Sequence, residues 1–378
     1  MIGNLDHSTL QQLWWLIVSL VGSLFLFLTF VQGGQTLIFT TARSAEEKSL
    51  ILNSIGRKWE LTFTTLVLFG GALFAAFPLF YATSFGGAYW VWMLILFTFI
   101  VQAVSYEYRM KENNLLGPLT YEIFLSINGS IGILLIGAAV GTFFTGSPFM
   151  LNDYNQVSWQ TPYHGLEAAK NPFNLAMGLF LVFLARTLGA LYLVNNLDHP
   201  ALNRRCRKAA WLNFLWALPF LLVVLGGFAT LEGFAVDPAT GTISLEKGKY
   251  LHNLMGMPAV ALLLLGGLCS VIYGVAAARF LDKESGIWFG GIGTVLVGLA
   301  IFSLAGYHQT AFYPSVSDLQ SSLTIHNASS SHYTLTVMSY VALAVPLVIA
   351  YIWYVWQQMD AGKLSLSDLT GKEGQDTY

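Results

Sequence analysis

Glu60, Glu107, Glu122 and Arg186 stand in or at the ends of long apolar runs, where an ionisable group is costly and usually has a task. A carboxylate shielded from water can accept and release protons near neutral pH, because burial and like charge favour its neutral form. Glu60 follows Trp59 at the start of one run. Glu107 closes the next, in Ser105-Tyr106-Glu107-Tyr108-Arg109, and Glu122 lies one turn into a third. All three fall toward the same end of their runs, which admits two readings. One is a proton-uptake cluster. The other is a set of interfacial acids with one helix-packing ion pair. Arg186 lies at a depth suited to pairing with Glu122, and Arg109 and Arg186 are alternative partners for Glu107.

Other chemistry is sparsely provided for. The histidines are His7, His164, His199, His252, His308, His326 and His332, and none falls at the centre of an apolar run. Membrane-bound haem is usually held by histidines within spans. His308 and His332, at the ends of two runs, read either as ligands at the outer face or as interfacial residues. Cys206 and Cys269 are too few for a disulfide framework or a thiolate metal site. There is no Cys-x-x-Cys-His, no phosphate-binding glycine loop and no Ser/His/Asp pattern.

The elements that must position these residues are membrane helices. Of 378 residues, 55% are hydrophobic and only 10% charged, and mean hydropathy is +0.60. A water-facing surface needs roughly 25% charge, so a soluble enzyme, a disordered chain and a nucleic-acid-binding domain are excluded. The net charge of -2 points to no strongly charged partner. A span needs about 20 apolar residues. Nine candidates occur, at 13–40, 61–84, 88–106, 118–144, 173–195, 209–231, 257–279, 287–307 and 334–358. The first exceeds a signal-peptide core and lacks a basic flank, so it is expected to remain as a span. Its Gln32-Gly33-Gly34-Gln35 patch predicts a kink or an end.

Fourteen of the 18 lysines and arginines lie in alternate loops and the tail: Arg43 to Lys58, Arg109 and Lys111, Arg204 to Lys208, Arg279 and Lys283, and Lys363 and Lys372. Only Lys170, Lys247 and Lys249 lie opposite. Basic loops stay cytoplasmic, which predicts an outer N-terminus and a cytoplasmic C-terminus. The outer loops, at 145–172, 232–256 and 308–333, are long and polar and are expected to carry short secondary structure or contact a partner. The fold class is an all-α polytopic membrane protein, read as two four-helix bundles plus one peripheral helix. Residues 1–145 make the first bundle and 146–172 an outer loop, and 173–378 hold the second bundle, the extra helix and a tail. Small residues four apart (Gly71 and Ala75, Ala72 and Ala76, Gly137 and Gly141, Gly286 and Gly290) predict close helix packing.

Several segments together resemble subunit II of the cytochrome bd quinol oxidases. The run from Gly70 and Gly71 to Phe77-Pro78, with Tyr81 after it, is similar to that family's second-helix signature. Asn53-Ser54-Ile55 and then Trp59 with its acid Glu60 precede it at the family's spacing. Tyr106-Glu107-Tyr108-Arg109 resembles the aromatic-acid-Tyr-Arg motif closing helix three. Gly146-Ser147-Pro148-Phe149 and Asn171-Pro172-Phe173 flank the long outer loop as in the family. Tyr313-Pro314-Ser315, Asn327-Ala328-Ser329 and Thr334 to Met338 match the ends of the last one. Two departures stand out. The family's Gly-Phe-Asp late in helix one is replaced by Gly33-Gly34-Gln35, which lacks the acid. The Gly-Asn-Gln-Val-Trp that follows the tryptophan and acid is replaced by Leu61-Thr62-Phe63-Thr64-Thr65.

The resemblance implies a haem-free subunit in the bacterial cytoplasmic membrane. It implies a heterodimer with a larger haem-bearing subunit I, which holds haems b and d and the quinol site, and it is compatible with small accessory subunits and a structural quinone or lipid. The complex would oxidise quinol and reduce dioxygen to water with protons from the cytoplasm. This chain would stabilise its partner and contribute part of a proton or oxygen path. A secondary transporter and a purely structural scaffold stay open as readings of the residues alone. A transporter favours broken helices in matching halves, and the Gln32–Gln35 patch has no counterpart in the second half.

Overall fold

The computed structural model describes residues 2–370; Lys372 lies outside the described residues. Among those residues, nine helical segments are long and apolar enough to cross a membrane, matching the nine expected. The first span is His7–Leu28, continued past Thr29 by Phe30–Gln35 and a 3-10 turn Thr36–Phe39. The second combines Ala45–Gly56 and Trp59–Ala76, and the third is Tyr89–Tyr108. The fourth joins Pro118–Ile127 to Ile133–Thr145 through a π turn, Asn128–Gly132. Pro172–Asn196, Pro200–Thr230, Pro258–Phe280 and Gly286–Gly306 are the fifth to eighth. The ninth runs His332–Ala342 and Val345–Met359.

Local chemistry sets the ends. The Asp6 carboxylate accepts from the Thr9 N–H, and Ser44 from Glu47, each satisfying an orphan donor of a first turn. Asn171 caps the fifth span with Pro172 at its first position, where a missing N–H costs nothing. The second span stops at Ala76, short of the expected 84, because a residue before proline avoids helical backbone and Phe77 precedes Pro78. A short helix Pro78–Tyr81 and a π turn Ala82–Gly87 follow.

Residues 41–60, expected as a loop, contain the helix Ala45–Gly56. Its charged first turn hides an apolar face of Leu50, Ile51, Leu52 and Ile55, all fully buried. The α-helix of the first span is interrupted at Thr29, just before the predicted patch, and ends with that patch at Gln35, where the 3-10 turn begins. Thr29 donates back to the Leu26 carbonyl, and Gly33 and Gly34 then bring the backbone directly onto the fifth span. A Cβ on Gly33 would overlap the Ala185 carbonyl, and one on Gly189 would collide with the Gly34 backbone. Gly129 in the π turn of the fourth span meets the Gln32 carbonyl in the same way. Gly137 and Gly286 make the close contacts expected of them, with Gly178 and Gly274, but a Cβ on Gly71 would meet nothing within 4 Å. Both main apolar clusters draw on helices from the two halves of the sequence.

The loops sort to two ends. At one, Glu47 meets Arg205, Lys48 meets Glu122, and Lys363 pairs with Glu284 at 2.6 Å. A strap after the ninth span closes this end. The Leu364 N–H donates to the Asn196 carbonyl and the Asp198 N–H to the Leu364 carbonyl. Lys58, 2% exposed, pairs with Asp360 at 2.9 Å, and Tyr192 lies 3.3 Å from the same carboxylate. At the other end, the expected short structure appears as two hairpins, Phe149–Leu151 with Val157–Trp159 and Glu232–Val236 with Ile243–Lys247, and a helix Lys249–Gly256. Ser147 bonds Pro314, Ala311 bonds Phe234 and Gln11 bonds the His326 carbonyl, so the three long loops and the N-terminal helix form one cap.

The junction of the first and fifth spans yields a test. Gly33→Val should lower stability by at least about 1–3 kcal/mol, the usual cost of overpacking, seen as reduced yield and Tm in detergent. Gly226→Val, at a site open for 4 Å around, should change neither.

Candidate functional site

Of the three acids, Glu122 is the buried one. Its Oε1 accepts from Arg109 Nε and Nη2, at 3.2 and 2.9 Å, and its Oε2 from Lys48 Nζ at 2.7 Å. Arg109 also donates to Ser49 Oγ at 3.2 Å. The arginine closes the third span, Glu122 opens the fourth, and Lys48 and Ser49 come from the helix Ala45–Gly56. The turn between the third and fourth spans is pinned: Asn114 donates to the Arg109 carbonyl and accepts from Gly117, whose φ of +74° suits glycine. This charged triad joins three elements at the end that carries the basic loops.

Glu107 and Glu60 are placed otherwise. Glu107 lies on the exterior, paired with Lys111 one turn on at 3.1 Å. Arg109, two residues away, faces a different side of the helix, so the expected Glu107–Arg109 pair does not form. Glu60 is exposed in the first turn of Trp59–Ala76. The structure does not bring the three acids together in one set of contacts.

Arg186 is not paired with Glu122 or Glu107 either. Its Nε donates to Asn213 Oδ1 at 2.8 Å, Nη1 to Thr36 Oγ1 at 2.5 Å and Nη2 to Thr40 Oγ1 at 3.4 Å. The guanidinium sits between the first, fifth and sixth spans, while Glu122 is taken up by cations on the second and third. Among the described residues, Arg186 has no carboxylate within ion-pair distance.

Beyond the triad lies a neutral network that sequence reasoning missed. Gln35 uses its whole amide: Nε2 donates to the Leu125 carbonyl and to Asn128 Oδ1, both at 2.7 Å. Its Oε1 accepts from Gln102 at 3.0 Å and from the Tyr106 hydroxyl at 3.1 Å. Asn128 donates on to Thr98. Leu125 is one turn from Glu122, so polar groups continue from the triad into the bundle, but only Glu122 and its partners carry charge. Where the resemblance implies an acid, Gln35 stands as the hub of an amide network. Trp59 stacks on Tyr106 with ring centres 6.0 Å apart, which ties that motif residue to the hub. Tyr108 is exposed. Gly70 and Gly71 line an exterior groove with Phe74, Tyr81 and Met93.

The histidines face protein groups. His332 Nε2 lies 2.9 Å from the Leu5 carbonyl and His308 Nδ1 3.2 Å from Asn253 Oδ1. Among the described residues, no three His, Cys, Asp or Glu side chains gather as a metal site. Near the loop-covered end, a cavity of about 260 Å³ is walled by Trp92, Thr142, Glu167, Asn174 and Tyr313. Burial holds the Tyr313 phenol above its usual pKa.

Comparison with known proteins accounts for this frame. Residues 10–359 match the family model described as cytochrome bd terminal oxidase subunit II. Cytochrome bd-I ubiquinol oxidase subunit 2 of Escherichia coli K12 is 28% identical over 380 residues, covering 97% of this chain and 98% of that one. Cytochrome bd ubiquinol oxidase subunit 2 of Bacillus subtilis 168 is 28% identical over 363 residues, covering 93% and 97%. Among solved structures, a chain of the bd oxidase from Geobacillus thermodenitrificans superposes with a TM-score of 0.56 at 15% identity, over 93% of this chain and 98% of that chain, a likeness of fold. The match spans all nine membrane helices, and the chain belongs to the cytochrome bd terminal oxidase subunit II family.

Proposed function

We propose that this chain is the haem-free subunit II of a quinol:dioxygen oxidoreductase in a bacterial cytoplasmic membrane. It forms a heterodimer with a haem-bearing subunit I, which carries haems b and d and oxidises quinol. The observation that carries this reading is a family match over residues 10–359 on a nine-span chain. The groove at Gly70 and Gly71 is open to a neighbouring helix of the partner or of a small accessory subunit. The cavity beside Tyr313 and Trp92 has the mixed lining that a structural quinone or a lipid headgroup requires. Purification from native membranes should yield this chain with a haem protein and a reduced-minus-oxidised haem spectrum. A colourless single-chain protein would overturn the assignment.

The N-terminus is outside and the C-terminus cytoplasmic in this reading. Its support is that the basic segments interlock at one end, through Lys48 with Glu122, Arg205 with Glu47 and Lys363 with Glu284. A reporter fused after Tyr378 should be active in the cytoplasm; activity on the far side would refute the orientation.

The acids divide by role. Glu107, and with it Glu60, stands on the exterior at the cytoplasmic end as a proton-uptake candidate for the complex. Glu122 is a lock, because two cations hold it. Glu107→Gln keeps size and hydrogen bonding, so it should assemble with full haem and consume oxygen slowly per haem. Full turnover would remove it from the path. Glu122→Gln leaves Arg109 buried without its counter-charge. Breaking a buried pair costs roughly 3–5 kcal/mol, and the part exposure of Lys48 places this site toward the lower figure. Activity and complex yield should therefore fall together.

A further inference from the structure

Arg186 poses a charge problem that the described residues do not solve among themselves. It lies ten residues before Asn196, the end of the fifth span, or about 15 Å along the helix at 1.5 Å per residue. Its three protein partners, Asn213, Thr36 and Thr40, are all neutral oxygens. They fix the guanidinium without neutralising it. An uncompensated cation at membrane depth is costly, and such arginines reach for the headgroup layer. Here the direction is visible. Thr40 is exposed and lies just past the 3-10 turn Thr36–Phe39, at the end that carries the basic loops.

Three of the five N–H donors of a guanidinium go to those oxygens. One N–H on each terminal nitrogen is left over. That pair is the fork that binds a phosphate or carboxylate in two parallel bonds. The surroundings decide between them. Phe39, Leu212 and Trp216, which flank Thr40 and Asn213, are exposed apolar side chains, and the Phe183 ring, one turn before Arg186, stacks on Phe220 and Trp216. A charged fork that opens toward the exposed Thr40, set in an exposed aromatic and aliphatic wall, suits an acyl-chain molecule with an anionic head.

We propose that Arg186, positioned by Asn213, Thr36 and Thr40, binds the phosphate of an anionic phospholipid in the leaflet that adjoins the basic loops. The lipid supplies the missing negative charge, and its chains lie on the Phe39, Leu212 and Trp216 surface. Binding depends on net negative charge, so a zwitterionic phospholipid is a poorer ligand.

The test uses the complex purified from native membranes and delipidated in detergent, read by native mass spectrometry and thermal unfolding. Phosphatidylglycerol should add a retained lipid and raise Tm, whereas phosphatidylcholine should do so far less and inorganic phosphate not at all. In Arg186→Gln that adduct and the phosphatidylglycerol-dependent rise should vanish with haem content preserved. Arg204→Gln, at an exposed arginine outside the site, should keep both. Should Arg186→Gln fail to assemble, Thr40→Val is informative, with an expected loss of roughly threefold to tenfold in phosphatidylglycerol affinity from one lost hydrogen bond. Unchanged lipid retention in either variant overturns the proposal, as does an equal response to the two lipids. Loss of the partner subunit from Arg186→Gln with lipid retention unchanged would also overturn it, assigning the fork to a partner carboxylate.

Discussion

The architecture hangs on a backbone-to-backbone junction. The first, fourth and fifth spans touch where Gly33, Gly129 and Gly189 leave no room for a Cβ. In a bilayer, apolar side chains gain little by leaving lipid for protein, so close approach and polar contacts must hold helices together. The glycines provide the approach, and the approach provides the polar contacts. Only because the first span presses against the fourth can Gln35 reach both Leu125 and Asn128. The same bend sets Thr36 and Thr40 beside Arg186 on the fifth.

The chain handles its membrane charges in three ways. Glu122 is neutralised twice over, by Arg109 and Lys48. Glu60 and Glu107 stay at the exterior of one end. At Gln35, where the resemblance implies an acid, an amide satisfies four partners at once. An amide donates and accepts but holds no exchangeable net charge. At this point along the first span the interior contact is therefore polar without carrying a titrating carboxylate.

Spans and cap loops were legible in the sequence because they rest on composition and local pattern. Long apolar runs and polar loops each declare themselves within a window of residues. The helix Ala45–Gly56 did not, since Glu46, Glu47 and Lys48 mask the apolar face behind them. The site was less legible still. Glu122 stood out because a carboxylate inside an apolar run is rare, yet its partner Lys48 is 74 positions away. Asn128 and Gln102 look unremarkable until a bent first span delivers Gln35 to them. Arg186 was visible as an intramembrane charge, but depth alone suggested an acid as its partner. Which helix neighbours which is not a property of depth.

The strap after the ninth span bears on how the chain is made. Lys58 is synthesised early and is buried in the finished protein, yet its counter-ion, Asp360, emerges some 300 positions later. Asn196 and Asp198 likewise wait for Leu364. Contacts of such long sequence separation form late, after the loop between them has been closed. The groups that cover Lys58, the Trp356 ring and Met359, come from the same late segment as its counter-ion. Burial and neutralisation of this lysine therefore arrive together, and the strap that latches the fifth-to-sixth turn arrives with them.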